Sequence, residues 1–345
     1  MNVSKDSFDL SLLKELRSLF LKEQPLLADY WSGALLDVYA RTLGERIRWK
    51  WSHVLKEISL RKIAPFQLFP NQNFLIQDWG CGPGTASFEF LNFLLEKSPN
   101  ASTKYTLDFQ DRSTKAMSFA KERIKNHFKT NSNIIYANDN KESFPMPEAN
   151  TLRVRLMSYV LSEMPGPTLA KLLHELKTFD IVLWVDSGSR AMSQRLVQAH
   201  ETLLKDFVML APCPHSLSCP LVDDKQNWCH TFADPPAEIF HSSEWKFIAD
   251  ELGFDLRSLP FHFLYFVHKK HAAHIEEFKK TLKTETLQSR ILGRPRISTN
   301  VARTDNCTRE GLYKSIEVIK SRNKKLYSLL KKETLLSVDD EELIL

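Results

Sequence analysis

Short apolar runs alternate along the middle of the chain with longer stretches of helical periodicity. The runs are Phe74–Asp78, Tyr105–Asp111, Ile134–Ala137, Val154–Tyr159, Ile181–Asp186 and Phe207–Ala211, with a seventh at Phe261–His268. Between most of them, helical candidates lie near Thr85–Leu95, Ser113–Phe128, Pro167–Lys177 and Ser193–Lys205, and another, Ser243–Leu252, precedes the seventh run. Strand and helix in turn predict an α/β fold built on a seven-stranded, mainly parallel, doubly wound Rossmann-like sheet. Ahead of it, residues 8–62 read as helices, with Leu10, Leu13, Leu16, Leu19 and Phe20 at helical spacing and Pro25 ending the first.

The chain therefore divides into a helical region (1–70), a sheet domain (71–270) carrying a cysteine-rich insertion (211–235), a basic extension (271–335) and an acidic end (336–345). Within the helical region, Arg46-Ile47-Arg48-Trp49-Lys50-Trp51 interleaves cations with aromatics. Such a stripe can stack on and neutralise RNA. It can equally bury Trp49 and Trp51 and leave the cations in solvent.

No run of about 18 apolar residues is present, and the N-terminus has the character of neither a signal nor a transit peptide, so a cytoplasmic protein without a membrane partner is expected. Five cysteines, three of them packed between Cys213 and Cys229, do not resemble a secreted disulfide framework. Net charge is +5, yet from Phe263 to Lys332 Lys and Arg outnumber Asp and Glu by 17 to 6. The rest of the chain must be net acidic, and the asymmetry implies a polyanionic partner.

The sharpest motif is Asp78-Trp79-Gly80-Cys81-Gly82-Pro83-Gly84-Thr85, where an apolar strand runs into three glycines and then a helix. Bare backbone at Gly80, Gly82 and Gly84 can approach a ligand closely. Thr85 leaves G-x-G-x-x-G incomplete and Asp78 adds negative charge, which disfavours a dinucleotide pyrophosphate. S-adenosylmethionine, with its ammonium and sulfonium, suits the site better. Asp111, ending the second strand, can accept hydrogen bonds from ribose hydroxyls, and Asp139 is a weaker candidate for the adenine end. Ser158 opens the segment after the fourth strand, where methyltransferases place residues facing the transferred methyl. No Asn-Pro-Pro-Tyr-type tetrad follows, so cofactor binding is better supported than methyl transfer and catalytic residues stay unassigned.

Cys213, Cys219 and Cys229 lie within seventeen residues, two of them followed by proline, and Cys307 is the remaining cysteine outside the glycine loop. Four thiolates suit a [4Fe-4S] cluster or zinc, and the spacings lack the paired Cys-x-x-Cys knuckles common for zinc. His215 or His230 in place of Cys307 would give a zinc site, and metal-free buried thiols are a third reading. A ligating Cys307 would make folding of the tail metal-dependent.

At these residues the chain resembles the methyltransferase-like family of small-ribosomal-subunit assembly proteins, which includes a mitochondrial small-subunit protein and bacterial relatives. The resemblance rests on Asp78–Ala86, on Ser158–Glu163, on Ala211-Pro212-Cys213-Pro214-His215 with Cys219-Pro220-Leu221 and Trp228-Cys229-His230, and on Cys307 with Lys314. It implies binding to the small subunit or its precursor and to rRNA rather than DNA, a [4Fe-4S] cluster on Cys213, Cys219, Cys229 and Cys307, and an S-adenosylmethionine pocket of doubtful catalytic use. Two departures are a longer gap between Cys219 and Cys229 and Asp186-Ser187-Gly188 where the family carries Glu-Pro-Gly. The alternatives are an active rRNA or ribosomal-protein methyltransferase and a zinc-stapled RNA-binding protein.

Arg290, Arg294, Arg296, Arg303 and Arg309, on a partly irregular segment braced by the cluster, are the expected phosphate contacts. An ordinary solvated basic helix is the alternative.

Overall fold

The structure, a computed structural model, describes residues 9–20, 30–97, 102–137, 150–281 and 289–332. The apolar runs become strands β1 (Asn73–Trp79), β2 (Tyr105–Gln110), β3 (Ile134–Tyr136), β4 (Thr151–Ser158), β5 (Ile181–Ser187), β6 (Phe207–Ala211) and β8 (Pro260–His268). They line up in the order β3-β2-β1-β4-β5-β8-β6. Only β8 opposes its neighbours, pairing antiparallel with both β5 and β6. A two-residue strand, β7 (Thr231–Phe232), adds to β8 and is too short to leave a periodic trace in sequence.

Alternation along each strand feeds two apolar layers. On β8, Phe261, Phe263, Tyr265 and Val267 enter one core with Ile181, Leu183 and Val185 of β5. Leu264 and Phe266 enter the other with Val182 and Trp184. The helices that cover these faces are α5 (Thr85–Lys97), α6 (Thr114–His127), α7 (Gly166–Leu176), α8 (Arg190–Leu203) and α9 (Ser243–Leu252), close to their expected positions. Ser113 caps α6 by accepting from the Ala116 amide at 3.3 Å, and Ser242 caps α9 through the Trp245 amide at 3.2 Å.

The N-terminal region folds as α1 (Leu10–Phe20), α2 (Gly33–Arg41), α3 (Leu43–Leu60) and the single turn α4 (Pro65–Leu68). It joins the main core: α3 packs on α5, and α1 on α9. This corrects the RNA-stacking expectation for Arg46–Trp51. Trp51 is fully buried and Trp49 packs against Trp245 with ring centroids 4.8 Å apart. The alternative holds for the buried tryptophans and fails for Arg46 and Lys50, which are buried, while Arg48 is partly exposed.

The basic extension is neither irregular nor one helix. After α10 (Ala272–Thr281) come three antiparallel strands, β9 (Ser289–Ile297), β10 (Val301–Thr308) and β11 (Tyr313–Ile319), followed by α11 (Lys324–Lys332). Ala302, Val318, Tyr327 and Leu330 form their own small core. On β10 the inward residues Ala302, Thr304 and Asn306 alternate with Arg303 and Asp305, a period of two disguised by polar residues facing inward. Among the described residues no helix is long and apolar enough to cross a membrane.

Candidate functional site

Between β1 and β4 the strand order reverses, and the carboxyl ends of the strands open a crevice there. The glycine loop fills its floor. Gly80 has φ +69°, and a Cβ on it would stand 2.5 Å from Val160 Cγ1, so any side chain would collide with the segment after β4. The Gly82 amide donates to Asp111 Oδ2 at 2.9 Å, and nothing lies within 4 Å of where its Cβ would project. Gly84 stands against α6, its hypothetical Cβ 2.8 Å from Ala120 Cβ.

Above the loop is a cavity of about 900 Å³, lined in part by the N-terminal helices α1 to α3. Gly80, Gly82, Asp111 and Ser158 line it, and Gly84 does not. Asp111 also accepts from the Ser113 amide at 2.9 Å, which fixes its carboxylate at the end of β2. Ser158 Oγ accepts from Trp51 Nε1 at 3.0 Å, locking β4 to α3. Asp139 lies outside the described residues.

Asp78 requires a correction, since it is fully buried beneath the loop and does not line the cavity. Its Oδ2 accepts from the Ser87 amide at 3.1 Å and from Ser87 Oγ at 2.7 Å, tying the strand end to the first turn of α5. Burial pushes this carboxyl up to about 6, against the Ser87 hydrogen bonds that hold it down. It braces the loop through Oδ2, while Oδ1 is buried without a hydrogen-bond partner. Asp186, the acid retained where the family motif departs, is likewise buried and accepts from the Leu161 amide at 3.1 Å.

Two cavity residues were not legible in the sequence. Lys50 Nζ lies 2.5 Å from Tyr159 Oη and 4.8 Å from the centroid of its ring. Burial lowers the Lys50 ammonium to about 7, Arg46 reinforces this, and Asp186 opposes it. Tyr159 adopts φ +57°, a left-handed conformation rare for a bulky residue, which turns the chain at the end of β4. The signal was split: Lys50 stood in a stripe read as surface, and Tyr159 in a strand end read only as cofactor-facing.

The four expected cysteines are gathered in one region, and all are free. Cys219, Cys229 and Cys307 share a buried cluster with Val197 and Leu292. Burial raises the Cys213 thiol well above its ordinary value, and Cys229, Cys307 and Cys219 are close enough to raise it further. Burial also lifts Cys219 to about 11 and Cys307 to about 12. His215 Nε2 lies 3.2 Å from Cys307 Sγ. Among the described residues, however, no three His, Cys, Asp or Glu side chains close into a metal-holding group. The expected metal-bound extension is thus met as a gathering of thiols and not as a finished coordination shell.

The arginines separate into different roles. Arg290 is corrected out of the phosphate-contact set: it is buried, its Nη1 lies 2.5 Å from Glu57 Oε1, and its guanidinium sits over the Phe263 ring. Arg294 donates to the Arg257 carbonyl at 2.6 Å and stacks over Phe232. Arg296 pairs with Asp305 at 2.8 Å and Arg303 with Glu317 at 2.6 Å, yet both side chains remain about three-fifths exposed. Arg309, beyond β10, is exposed.

No curated protein matches the chain. Solved structures similar to it include an RNA methyltransferase candidate from Pyrococcus horikoshii, at 12% identity over 64% of this chain and 84% of that one, with a TM-score of 0.36. Magnesium protoporphyrin IX methyltransferase from Synechocystis is similar at 11% identity over 73% and 98% of the two chains, with a TM-score of 0.40. A type I restriction-modification methyltransferase subunit from Streptococcus thermophilus follows at 12% identity over 84% and 57%, with a TM-score of 0.34. The Rossmann-like fold rests on strand order, the glycine loop and the crevice, not on these distant likenesses. A family model spans the sheet, the cysteine segment and the three-stranded extension together, residues 67–334, and by that match this chain belongs to the family described as mitochondrial small ribosomal subunit Rsm22.

Proposed function

We propose that this protein binds the small ribosomal subunit or its precursor through rRNA, holds S-adenosylmethionine in the crevice above the glycine loop, and carries a [4Fe-4S] cluster on Cys213, Cys219, Cys229 and Cys307. Family membership supports the ribosomal partner. The observation that carries the reading is the meeting of Cys307, from β10, with three thiols of a segment some eighty residues earlier, beside a cationic sheet.

The donor set fits a cluster. Four thiolates would supply its ligands, and the fixed positive charges of Arg290 and Arg61, both close enough to the cysteines to interact with them, would offset their negative charge. Raised thiol values describe the metal-free state, and bound metal ions would drive the protons off. The cluster's chemistry in this account is structural, a staple between the sheet domain and the extension. Arg294, Arg296 and Arg303 from the three-stranded sheet, and Arg309 from the turn after β10, then present charge to phosphates.

The cavity fits S-adenosylmethionine in size and lining: about 900 Å³ is within the usual range for small-molecule sites, and Asp111, which lines it at the end of β2, would offer a ribose its carboxylate oxygens. One observation favours a second reading, that of an active methyltransferase: Lys50 and Tyr159 sit together at the end of β4. Binding of radiolabelled S-adenosylmethionine and sedimentation with small-subunit particles, measured on the same preparation, test the proposal. Failure of co-sedimentation at low salt would remove the ribosomal function, and failure to bind the label would remove the cofactor.

A further inference from the structure

We infer that Lys50, hydrogen-bonded to Tyr159, is the proton acceptor for a nitrogen nucleophile entering this cavity, and that the nucleophile is a planar N–H group of the nucleobase kind. The inference rests on the reading of the crevice as an S-adenosylmethionine site and deepens it.

Position comes first. Lys50 and Tyr159 both line the cavity, and Tyr159 follows Ser158 at the carboxyl end of β4, the strand beside β1 and its glycine loop. Their placement is rigid. Ser158 is tied to Trp51, the neighbour of Lys50 on α3, while Tyr159 is held in its left-handed turn by its amide, which donates to the Val185 carbonyl at 2.9 Å. A buried lysine spanning a core for packing alone would not need an opening onto a cavity.

Charge comes second. The groups that act on the pair are Arg46 from α3, Asp186 from β5 and, on the tyrosine, Tyr39 from α2. Burial and Arg46 together disfavour the ammonium, so near neutral pH a free amine is available; it donates an N–H to Tyr159 Oη, which leaves its lone pair for the incoming proton. A base with its pKa near the working pH suits proton transfer.

Shape comes third. Trp31 and Tyr39, edge to face at 5.3 Å between centroids, together with Trp79 wall the cavity with aromatic surface. Such walls hold a flat ring better than an aliphatic amine.

In the balanced step, the nitrogen lone pair attacks the methyl carbon of S-adenosylmethionine and forms the N–C bond. The C–S bond breaks with its electron pair left on sulfur, giving the neutral thioether. The N–H proton passes to the Lys50 amine, and the ammonium returns it to water when products leave.

The test uses full-length protein, wild type and the variants Lys50→Met and Tyr159→Phe. Calorimetric binding of S-adenosylhomocysteine is measured beside single-turnover transfer of labelled methyl to small-subunit particles from pH 5.5 to 9. Wild type is expected to transfer with a rate that rises through about pH 7, as Lys50 loses its proton. Lys50→Met should bind S-adenosylhomocysteine within about threefold of wild type yet transfer at least about 100-fold more slowly. Tyr159→Phe, which keeps the ring, should retain part of the rate with a displaced pH limb, and it carries the test should Lys50→Met not fold. Wild-type binding without any transfer, or transfer by Lys50→Met at the wild-type rate, would overturn the assignment while leaving the cofactor site intact. Absence of S-adenosylhomocysteine binding by wild type would instead overturn the reading beneath it.

Discussion

Arg290 of β9 and Glu57 of α3 form a buried ion pair, Nη1 to Oε1 at 2.5 Å, that ties the C-terminal sheet to the N-terminal helices. Arg61 joins them, pairing with Glu57 at 3.3 Å and donating to the Leu210 carbonyl at 2.6 Å, just ahead of the cysteine segment. Burial works against the Glu57 carboxylate, but Arg290 and Arg61 hold it below its ordinary value. Three parts of the sequence thus meet at one set of charges beside the thiols.

Removing one member of this triad strands a charge away from water. Glu57→Gln or Arg290→Met should each lower unfolding free energy by about 3–5 kcal/mol. Urea denaturation checks this, and the double variant should recover part of the loss. A loss below about 1 kcal/mol for either single variant would show that the pair contributes little.

The glycine loop gives a binding prediction. Gly80→Ala forces a Cβ to 2.5 Å from Val160, at a positive φ that alanine adopts poorly, so the loop must shift. Affinity for S-adenosylhomocysteine should fall at least tenfold, a change of about 1.4 kcal/mol or more, as read by calorimetry. Asp111→Ala should also weaken binding, because it removes the acceptor that fixes the Gly82 amide.

Two buried imidazoles contribute to the acid limb of stability, and Asp78, whose buried carboxyl is raised to about 6, works against them. Burial holds His262 down to about 3, helped by His200 and Arg290, and holds His53 down to about 4, with Glu57 opposing. Both fold neutral, whereas in the unfolded chain they would titrate near 6.5. The unfolded state therefore binds more protons between pH 6.5 and about 3 to 4, and stability falls as pH falls through that window. Thermal melting should show this decline, and His262→Gln should flatten it. Asp180 adds a loss only further down, because its contacts from His271 and Lys270 overcome burial and hold its carboxyl near 2.

The sheet was legible because its strands are continuous apolar runs separated by long helices, a pattern that a core buried on both faces requires. The crevice was legible for a related reason, since glycines at a strand end have few other uses. The extension was misread because β9 to β11 bury Thr304, Asn306 and Arg290 where a periodic reading looks for aliphatic residues. Lys50 and Arg290 failed for a common cause: charge in a sequence signals exposure, and only tertiary partners such as Tyr159 and Glu57 make its burial affordable.

RNA contacts should follow exposure and not residue type. Arg303→Glu combined with Arg309→Glu should weaken binding to small-subunit rRNA and reduce the salt slope of log affinity by roughly 1 to 2. Arg290 belongs to the stability test instead, because it is buried. An unchanged salt slope in the double reversal, read by filter binding across salt concentrations, would remove this face from the interface.

The gathering of four thiols is best tested by purifying the protein anaerobically and recording its visible absorption, iron and zinc content, for wild type and Cys307→Ser. A brown wild type with about four irons per chain, and a pale Cys307→Ser variant whose three-stranded sheet becomes protease-sensitive, is the expected result. A colourless wild type without iron, or one in which Cys307→Ser keeps full iron and colour, would contradict it, and zinc in place of iron would assign the staple to His215 or Cys307 with three cysteines.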